Sequence, residues 1–129
     1  MTSDERKRQL RHIRRILEDA TNREPHEALP HLREAAERLT ELIDESMAQA
    51  VLSGKVSLRS AGLHAGLTEN AVPPRLARTK ALGAYADDRG RVTRSAVERA
   101  RFEHEIGSPR PAPDEPPKPM RFRPRRPTT

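Results

Sequence analysis

Two glycines four residues apart limit how residues 58–76, LRSAGLHAGLTENAVPPRL, can be arranged. Gly66 suits a tight turn between two short helices, because the backbone there is left-handed and a Cβ would be strained. Gly62 falls where two helices joined by such a turn come closest. The small and apolar residues that would point inward are Leu58, Ala61, Ala65, Leu67, Val72 and Leu76. The segment therefore predicts two crossed helices with a common interior.

The start of the second predicted helix carries polar residues. Thr68 follows the turn, and its hydroxyl is able to cap the helix. Glu69, Asn70 and the basic residues beyond them then lie on the outer surface. This arrangement resembles a helix-turn-helix, a motif that presents its second helix to DNA.

The composition argues against a large self-sufficient core. Of the 129 residues, 33% are apolar, 34% are charged and 2% are aromatic, so we expect part of the fold to be stabilised by packing against a partner. The chain has no Cys, which removes disulfides and thiolate metal sites. Since there is neither a signal peptide nor an apolar run of about 20 residues, we expect a cytoplasmic protein that does not enter a membrane.

The positive charge is concentrated in one part of the chain. Residues 49–101 carry ten Lys or Arg against four acids, whereas residues 1–48 carry nine against eleven. The last residues, 102–129, carry six against four. The segment with the predicted motif thus has the charge expected of a phosphate-binding module, although basic segments also bind acidic proteins and RNA.

The first 54 residues predict an antiparallel helical hairpin. The first helix opens with a capping box of Thr2 and Glu5, and the second starts at Pro30 and ends near Gly54. The inward positions are Leu10, Ile13, Leu17 and Ala20 on the first helix and Leu32, Ala36, Leu39, Ile43, Met47 and Val51 on the second. These narrow stripes hide only part of their apolar surface. A second copy of the chain would complete a four-helix arrangement, and packing on the C-terminal half of a monomer is the alternative.

A tight turn and a further helix follow the glycine pair. Residues 87–90, DDRG, predict a turn between two short extended arms, residues 84–86 and 91–93. Thr93 then caps a last helix, which Gly107 ends. Its inward positions are Ala96, Val97, Ala100 and Ile106. The predicted order is helix, turn, helix, β-hairpin, helix.

Together, LRSAGLHAGLTENAV, LGAY, DDRGRV and TRSAVERA resemble the winged helix-turn-helix domains of the excisionase and MerR-like group. The resemblance covers residues 56–106. It implies that residues 55–106 form a winged helix-turn-helix with one short β-hairpin. Together with the N-terminal helical hairpin that the apolar spacing predicts for residues 1–54, the expected fold is mainly α. The resemblance also implies that the protein binds double-stranded DNA.

In that group the second helix enters the major groove and the hairpin contacts the backbone or the neighbouring minor groove. The resemblance implies that Thr68, Glu69 and Asn70, at the N-terminal end of the second helix, face base edges. The Asn70 amide is chemically suited to pair with the N6 and N7 edge of adenine. The cations that it implies as phosphate contacts are Arg75, Arg78 and Lys80 near the second helix, Arg89 and Arg91 on the wing, and Arg59 on the first helix. Arg75→Ala is accordingly expected to weaken DNA binding more than Arg6→Ala.

Pro73 and Pro74 depart from this pattern, because they fall in the middle of the second helix. An interior proline loses a hydrogen bond and collides with an earlier carbonyl, at a cost of about 3 kcal/mol. Either the second helix is a single turn that kinks at Val72, or a regular helix begins at Pro73 and extends over residues 73–86. We favour the second arrangement, which moves the base-reading positions toward Arg75.

The C-terminal residues, 107–129, contain eight prolines and few apolar residues, so we expect a disordered tail. Near its end, Arg121, Arg123, Arg125 and Arg126 lie among prolines. This composition is typical of a sequence-tolerant basic tail and, more loosely, of arms that bind the minor groove.

No catalytic or metal site is recognisable. His26, Glu27 and His31 approach a zinc-protease motif, but that motif needs histidines four residues apart on one helical face, and these are five apart with Pro30 between them. We therefore expect a homodimeric, non-enzymatic DNA-binding regulator or architectural protein without cofactor or metal. One alternative is a DNA-packaging subunit, because AVLSGKVSLRSAGLHAGLTENAV is also similar to the DNA-binding segment of viral small terminase subunits. The other is an adaptor that binds a protein through the N-terminal helices or the tail.

Overall fold

The chain folds into a mainly helical structure. A computed structural model describes residues 1–113, and the rest of the predicted tail, with its four arginines, lies outside the described residues. The five α-helices in this range are α1 (Ser3–Thr21), α2 (Pro25–Leu52), α3 (Leu58–His64), α4 (Val72–Leu76) and α5 (Arg94–Glu105). Short 3-10 helices lie at Glu69–Ala71 and Gly83–Tyr85. Over residues 1–113, no helix combines the length and the apolarity needed to cross a membrane.

The first two helices form the predicted hairpin. The capping box that opens α1 is confirmed, because the Glu5 N–H donates to Thr2 Oγ1 over 3.1 Å and the Thr2 N–H donates to the Glu5 carboxylate over 3.0 Å. The prediction that α2 starts at Pro30 is wrong, since α2 begins at Pro25. Pro25 suits the first turn, where no backbone donor is required. Pro30 lies inside the helix but is exposed, so water can reach the carbonyl that its ring leaves unbonded.

The buried face of the hairpin differs from the predicted one. Ile13 and Ala20 of α1 are buried as predicted, and Ile16 is buried with them. On the first part of α2 the buried apolar residues are Ala28, Ala35 and Leu42. The residues predicted to point inward that are instead exposed are Leu10, Leu17, Leu32, Ala36, Leu39 and Ile43. The prediction of which α2 residues point inward fails because α1 packs against the side of α2 that carries small alanines. An alanine gives a weaker hydrophobic signal in the sequence than the leucine beside it, so the leucines were predicted to be buried instead.

The C-terminal end of α2 belongs to a second, larger core. Met47, Ala48 and Val51 pack with α3, α4, α5 and the turns between them, which together form the C-terminal unit (residues 47–107). The other buried members of this core are Ala61, Val72, Leu76, Ala77, Leu82, Tyr85, Val92, Val97 and Ala100. Because α2 contributes to both cores, it fixes the hairpin to the C-terminal unit.

The predicted β-hairpin is present as a turn without strands. The Asp87 N–H donates to the Arg91 carbonyl over 2.8 Å, which closes the turn. The arm before it is the 3-10 helix Gly83–Tyr85. The arm after it bonds to α4, since the Val92 N–H donates to the Pro73 carbonyl over 3.0 Å. Within residues 1–113 no β-strand forms, because the backbone groups of the two arms are engaged elsewhere.

The last helix begins and ends where the sequence predicts. Thr93 Oγ1 accepts a backbone N–H of the first turn of α5 over 3.2 Å, and Gly107 has a left-handed φ of 74°. Val97 and Ala100 are buried as predicted. Ile106 is 60% exposed, contrary to the prediction, because it lies after the last residue of α5 and beyond the core.

The first residues of the predicted tail lie against the C-terminal unit. The Arg110 N–H donates to the Tyr85 hydroxyl over 3.0 Å, and the Arg110 guanidinium carbon lies 4.8 Å from the centroid of the Tyr85 ring. The same hydroxyl donates to the Glu103 carboxylate. Burial raises the pKa of Tyr85, so the hydroxyl keeps its proton. Arg110 is therefore held against Tyr85 of the C-terminal unit.

Candidate nucleic-acid interface

The turn between α3 and the second helix has the geometry that its glycines predict. Gly66 has a φ of 71°, and the space that a Cβ would take there is open among the described residues. A Cβ on Gly62 would lie 2.7 Å from Cγ2 of Val72, so the two helices touch at this glycine. The Leu67 N–H donates to the Gly62 carbonyl over 2.9 Å. The crossed pair of helices on which the helix-turn-helix resemblance depends is therefore present.

The second helix is short and begins with a 3-10 turn. Glu69–Ala71 forms this turn and α4 follows it directly, so the helical stretch is about 12 Å long. Both prolines lie in the first turn of α4, as predicted. The predicted length is wrong, because α4 ends at Leu76 instead of continuing over residues 73–86. The Leu76 carbonyl accepts the Thr79 N–H over 3.1 Å and the Thr79 hydroxyl over 2.6 Å, which closes the helix.

Three polar residues are exposed at the entry to the second helix. Thr68 occupies the cap position with an extended backbone, φ −69° and ψ 155°, but its hydroxyl makes no capping hydrogen bond in the described chain. Glu69 and Asn70 follow on the 3-10 turn, and all three residues are exposed. In a helix-turn-helix, this end of the second helix carries the side chains that contact base edges.

Arg75 forms an ion pair inside the protein. Its Nε lies 2.6 Å from Oδ1 of Asp44 on α2, and Asp44 is 5% exposed. Burial raises the pKa of the Asp44 carboxyl, although the charge and hydrogen bond of Arg75 act in the opposite direction. The pair joins α4 to α2 and competes with the phosphate contact predicted for Arg75. The sequence signal for it is an acid on the buried side of α2, at helical spacing from Ala48 and Val51.

Arg78 and Lys80 are exposed beside the acidic side of α2. Arg78 shares a cleft with Glu41 and Asp44. The Lys80 N–H donates to Glu45 Oε1 over 2.5 Å, which holds this part of the chain against α2. Nearby carboxylates reduce the positive potential, so this side of the second helix suits phosphate less well than its sequence predicts.

The other predicted cations lie on α3 and on the turn at residues 87–90. Arg59 and Arg89 are exposed, and Arg91 is half-buried. None of the three forms an ion pair with an acid among residues 1–113. Asp87 Oδ1 accepts the Arg89 and Arg91 N–H groups over 2.9 and 3.0 Å, so the backbone that carries these two arginines is fixed. The residues that we take together as the candidate interface are Arg59, Thr68, Glu69, Asn70, Arg89 and Arg91.

Comparison with known proteins adds no family assignment. No protein-family model matches the chain, and no curated protein and no solved structure matches it. The functional argument therefore depends on the residues themselves. In the part of the chain that the structure describes, no group of three His, Asp or Glu side chains is arranged to hold a metal ion. The candidate interface offers positive charge and hydrogen-bonding side chains.

Proposed function

We propose that the protein binds double-stranded DNA through the candidate interface and acts as a non-enzymatic regulator or architectural factor. The observation that supports this most directly is the crossed helix pair closed by Gly62 and Gly66. It leaves Thr68, Glu69 and Asn70 exposed at the entry of the second helix, while apolar residues of the same helix are buried. Polar side chains that lie exposed on a rigid helix end are suited to a groove.

The three polar residues supply the base-reading chemistry of this proposal. The Asn70 amide both donates and accepts, which matches the N6 and N7 edge of adenine. The Glu69 carboxylate accepts from the N4 group of cytosine, and the Thr68 hydroxyl bonds to either kind of group. Because the helical stretch is only about 12 Å long, it reaches few base pairs. We therefore expect a short recognition site for each protomer.

The exposed arginines supply the phosphate contacts. Residues 49–101 carry ten Lys or Arg against four acids, and Arg59, Arg89 and Arg91 have no ion-pair partner among residues 1–113. In this proposal the turn at residues 87–90 takes the place of a wing, and its two arginines rest on the DNA backbone.

A salt titration tests the proposal. A duplex selected from a random pool is titrated with the protein at several salt concentrations, and the logarithm of the affinity should fall linearly with the logarithm of salt. Arg89→Ala should reduce this slope by about 0.9, since one phosphate contact is lost. The matched control is Arg33→Ala, because Arg33 is 79% exposed on α2 and outside the candidate interface. A flat salt response, or equal slopes for the two variants, would contradict the phosphate contacts.

Base reading needs a different readout. Asn70→Ala should leave the salt slope unchanged and cost about 1–3 kcal/mol of discrimination at one base pair. The check is a competition between the selected duplex and its single-base variants. Unchanged discrimination at every position would exclude Asn70 as a reader.

A second candidate function is a protein-binding adaptor. It is favoured by one observation: Arg75 is paired with Asp44, and Arg78 lies in a cleft with acids of α2, so part of the basic surface is directed inward. This candidate would be supported if the folded protein binds no DNA duplex at low salt but forms a stable complex with a protein partner.

A further inference from the structure

α2 has a second apolar face that residues 1–113 leave uncovered. Its residues follow one another at alternating intervals of three and four, and we refer to them as the α2 seam: Leu29, Leu32, Ala36, Leu39, Ile43, Ser46 and Ala50. The four large members of the seam are 39–62% exposed. This spacing keeps one side of a helix directed at a partner helix along its whole length, as in a coiled coil.

The C-terminal half of the seam, from Leu39 to Ala50, forms the floor of an open groove of about 470 Å³. α1 contributes one wall through Arg6 and Leu10, and α3 contributes the other through Ala61 and His64. The α3 wall lies beside only the C-terminal part of the seam, because the seam residues that line the groove are those from Leu39 onward. One end of the seam is therefore walled on both sides and the other end is open.

We propose that a second copy of the chain covers this groove, with the two α2 helices antiparallel about a two-fold axis near Leu39. A two-fold interface uses the same patch on both subunits, so the patch must be complementary to itself. The open end of one seam would then enter the walled end of the other.

The order of large and small residues in the seam supports the antiparallel direction. With the axis near Leu39, Leu29 of one copy lies opposite Ala50 of the other, and Ile43 lies opposite Ala36. Large side chains then fill the space beside small ones, as close packing requires. In a parallel pair each residue would face its own counterpart, which leaves voids where Ala36, Ser46 and Ala50 meet themselves.

The size of the apolar face agrees with a stable dimer. The seam is about 30 Å long at 1.5 Å per residue, and the face that it makes with α1 is roughly 20 Å wide for two helices about 10 Å apart. Leu10 and Leu17 of α1 widen the face and are 40% and 41% exposed. The product is roughly 600 Å² per protomer, close to the roughly 800 Å² per partner of a standard interface.

Charge supports the same partner. Residues 6–15 on α1 carry six Lys or Arg and no acid, whereas residues 34–45 on α2 carry five acids and one Arg. No ion pair joins α1 to α2 within residues 1–113, because the α2 acids that form pairs do so with His26, Arg33, Arg38 or Arg75. A four-helix assembly brings α1 of one copy near α2 of the other, so the basic helix gains an acidic neighbour.

The experiment measures the mass of the full chain in solution by sedimentation equilibrium over micromolar concentrations, without DNA. Wild type should have twice the 14.6 kDa mass of the chain. Ile43→Arg places a charge in the seam and should give a folded monomer. The control is Leu63→Arg, because Leu63 is 69% exposed on α3 and does not line the groove, and this variant should remain a dimer. A monomeric wild type, a ring of more copies or equal behaviour of the two variants would overturn the proposal.

Cysteine cross-linking tests the direction and does not depend on the Ile43 variant being folded. The chain has no Cys, so single cysteines can be introduced without background. Leu39→Cys should form a disulfide-linked dimer on mild oxidation, whereas Leu29→Cys should not, because only the first lies on the axis. Cross-linking of both variants would indicate a parallel pair and overturn the antiparallel one. Neither measurement contains DNA, so the dimer and the DNA-binding proposal fail independently.

Discussion

The C-terminal unit and the N-terminal hairpin differ in how completely they cover their apolar residues. In the C-terminal unit, Leu76, Leu82 and Val92 are fully buried, together with Val51 from α2. In the hairpin the buried cluster consists of Ile13, Ile16, Ala35 and Leu42, with Met1 packed against it. The large apolar residues that the hairpin leaves exposed are Leu10, Leu17, Leu29, Leu32, Leu39 and Ile43.

This difference separates two uses of apolar sequence. The C-terminal unit closes its own core, so its stability is a property of one chain. The hairpin covers only one side of α2, and the other side has the spacing of an interface. The two regions meet at Asp44 and Arg75, where α2 and α4 are joined. Substitutions in the two regions should therefore differ in size and in dependence on protein concentration.

The largest expected effect is in the core of the C-terminal unit. Leu76→Ala should lower the free energy of unfolding by about 2–5 kcal/mol, because Leu76 is 0% exposed and the substitution leaves a cavity. Urea denaturation measures the loss. The matched variant in the hairpin is Leu17→Ala, which within one chain should cost less than about 1 kcal/mol because Leu17 is 41% exposed there. The comparison is made at protein concentrations low enough for the proposed dimer to dissociate. Equal losses would remove the distinction between the two regions.

The junction between the regions should show the next largest effect. Asp44→Ala should cost about 1–3 kcal/mol, because it leaves the partly buried Arg75 guanidinium without its acceptor. Thermal or urea denaturation measures this loss. Arg33→Ala is the surface control, since the Arg33–Glu37 pair is exposed and worth little.

The pH dependence of the same junction has a definite sign. Burial raises the pKa of Asp44 in the folded protein above its ordinary 3.8. The stability that the protonated carboxyl contributes is therefore fully present below pH 3.8 and is lost as pH rises through the raised pKa. Asp44→Asn keeps the shape and an acceptor for Arg75 but cannot ionise, so wild type should lose stability relative to this variant over that range. A constant difference between the two from pH 3 to pH 7 would contradict the shift.

A glycine substitution tests the helix crossing with a smaller effect. Gly62→Ala should cost about 1–2 kcal/mol, because its Cβ would come within 2.7 Å of Val72 Cγ2 while an alanine favours the helix. In a Val72→Ala background the same change should cost nothing or stabilise. Gly66→Ala is the control, because its cost arises from φ 71° and should not depend on Val72. The measurement is a double-mutant cycle by urea denaturation, and an unchanged Gly62→Ala cost would exclude the close approach.

The smallest effect is expected at the start of α1, in the N-terminal hairpin. Thr2→Ala removes the capping box of α1 and should cost about 1 kcal/mol or less. Amide hydrogen exchange should accelerate in α1 and stay unchanged in α5. Thr93→Ala, which removes the matched cap of α5, should have the reverse pattern. Equal acceleration in both helices for either variant would mean that the two regions unfold as one.

Features that depend on neighbouring residues in the chain were predictable. The capping pairs at Thr2 and Thr93 and the left-handed turns at Gly66 and Gly107 agree with the structure. Each of them is set by one backbone angle or one hydrogen bond within a few residues. The exposure of Thr68, Glu69 and Asn70 followed from the same local geometry.

Features that depend on distant residues were not predictable in this way. The two strands of the β-hairpin predicted around residues 87–90 do not form. The arm after this turn bonds instead to the Pro73 carbonyl, which lies 19 residues before Val92. The pairing of Arg75 with Asp44 spans 31 residues and requires α2 to be in place. A pattern of apolar residues at helical spacing also fits two adjacent faces of α2 equally well, so it does not indicate which face meets α1.

The sequence was enough to establish a mainly helical chain, two short helices crossed at a glycine turn and an excess of positive charge in residues 49–101. These properties follow from local backbone preferences and from counting charges. Which face of α2 is buried, which arginines are left exposed and how far the second helix extends became known from the folded arrangement. The reason is that each depends on groups far apart in the chain, whose competition for the same surface is resolved when the helices pack.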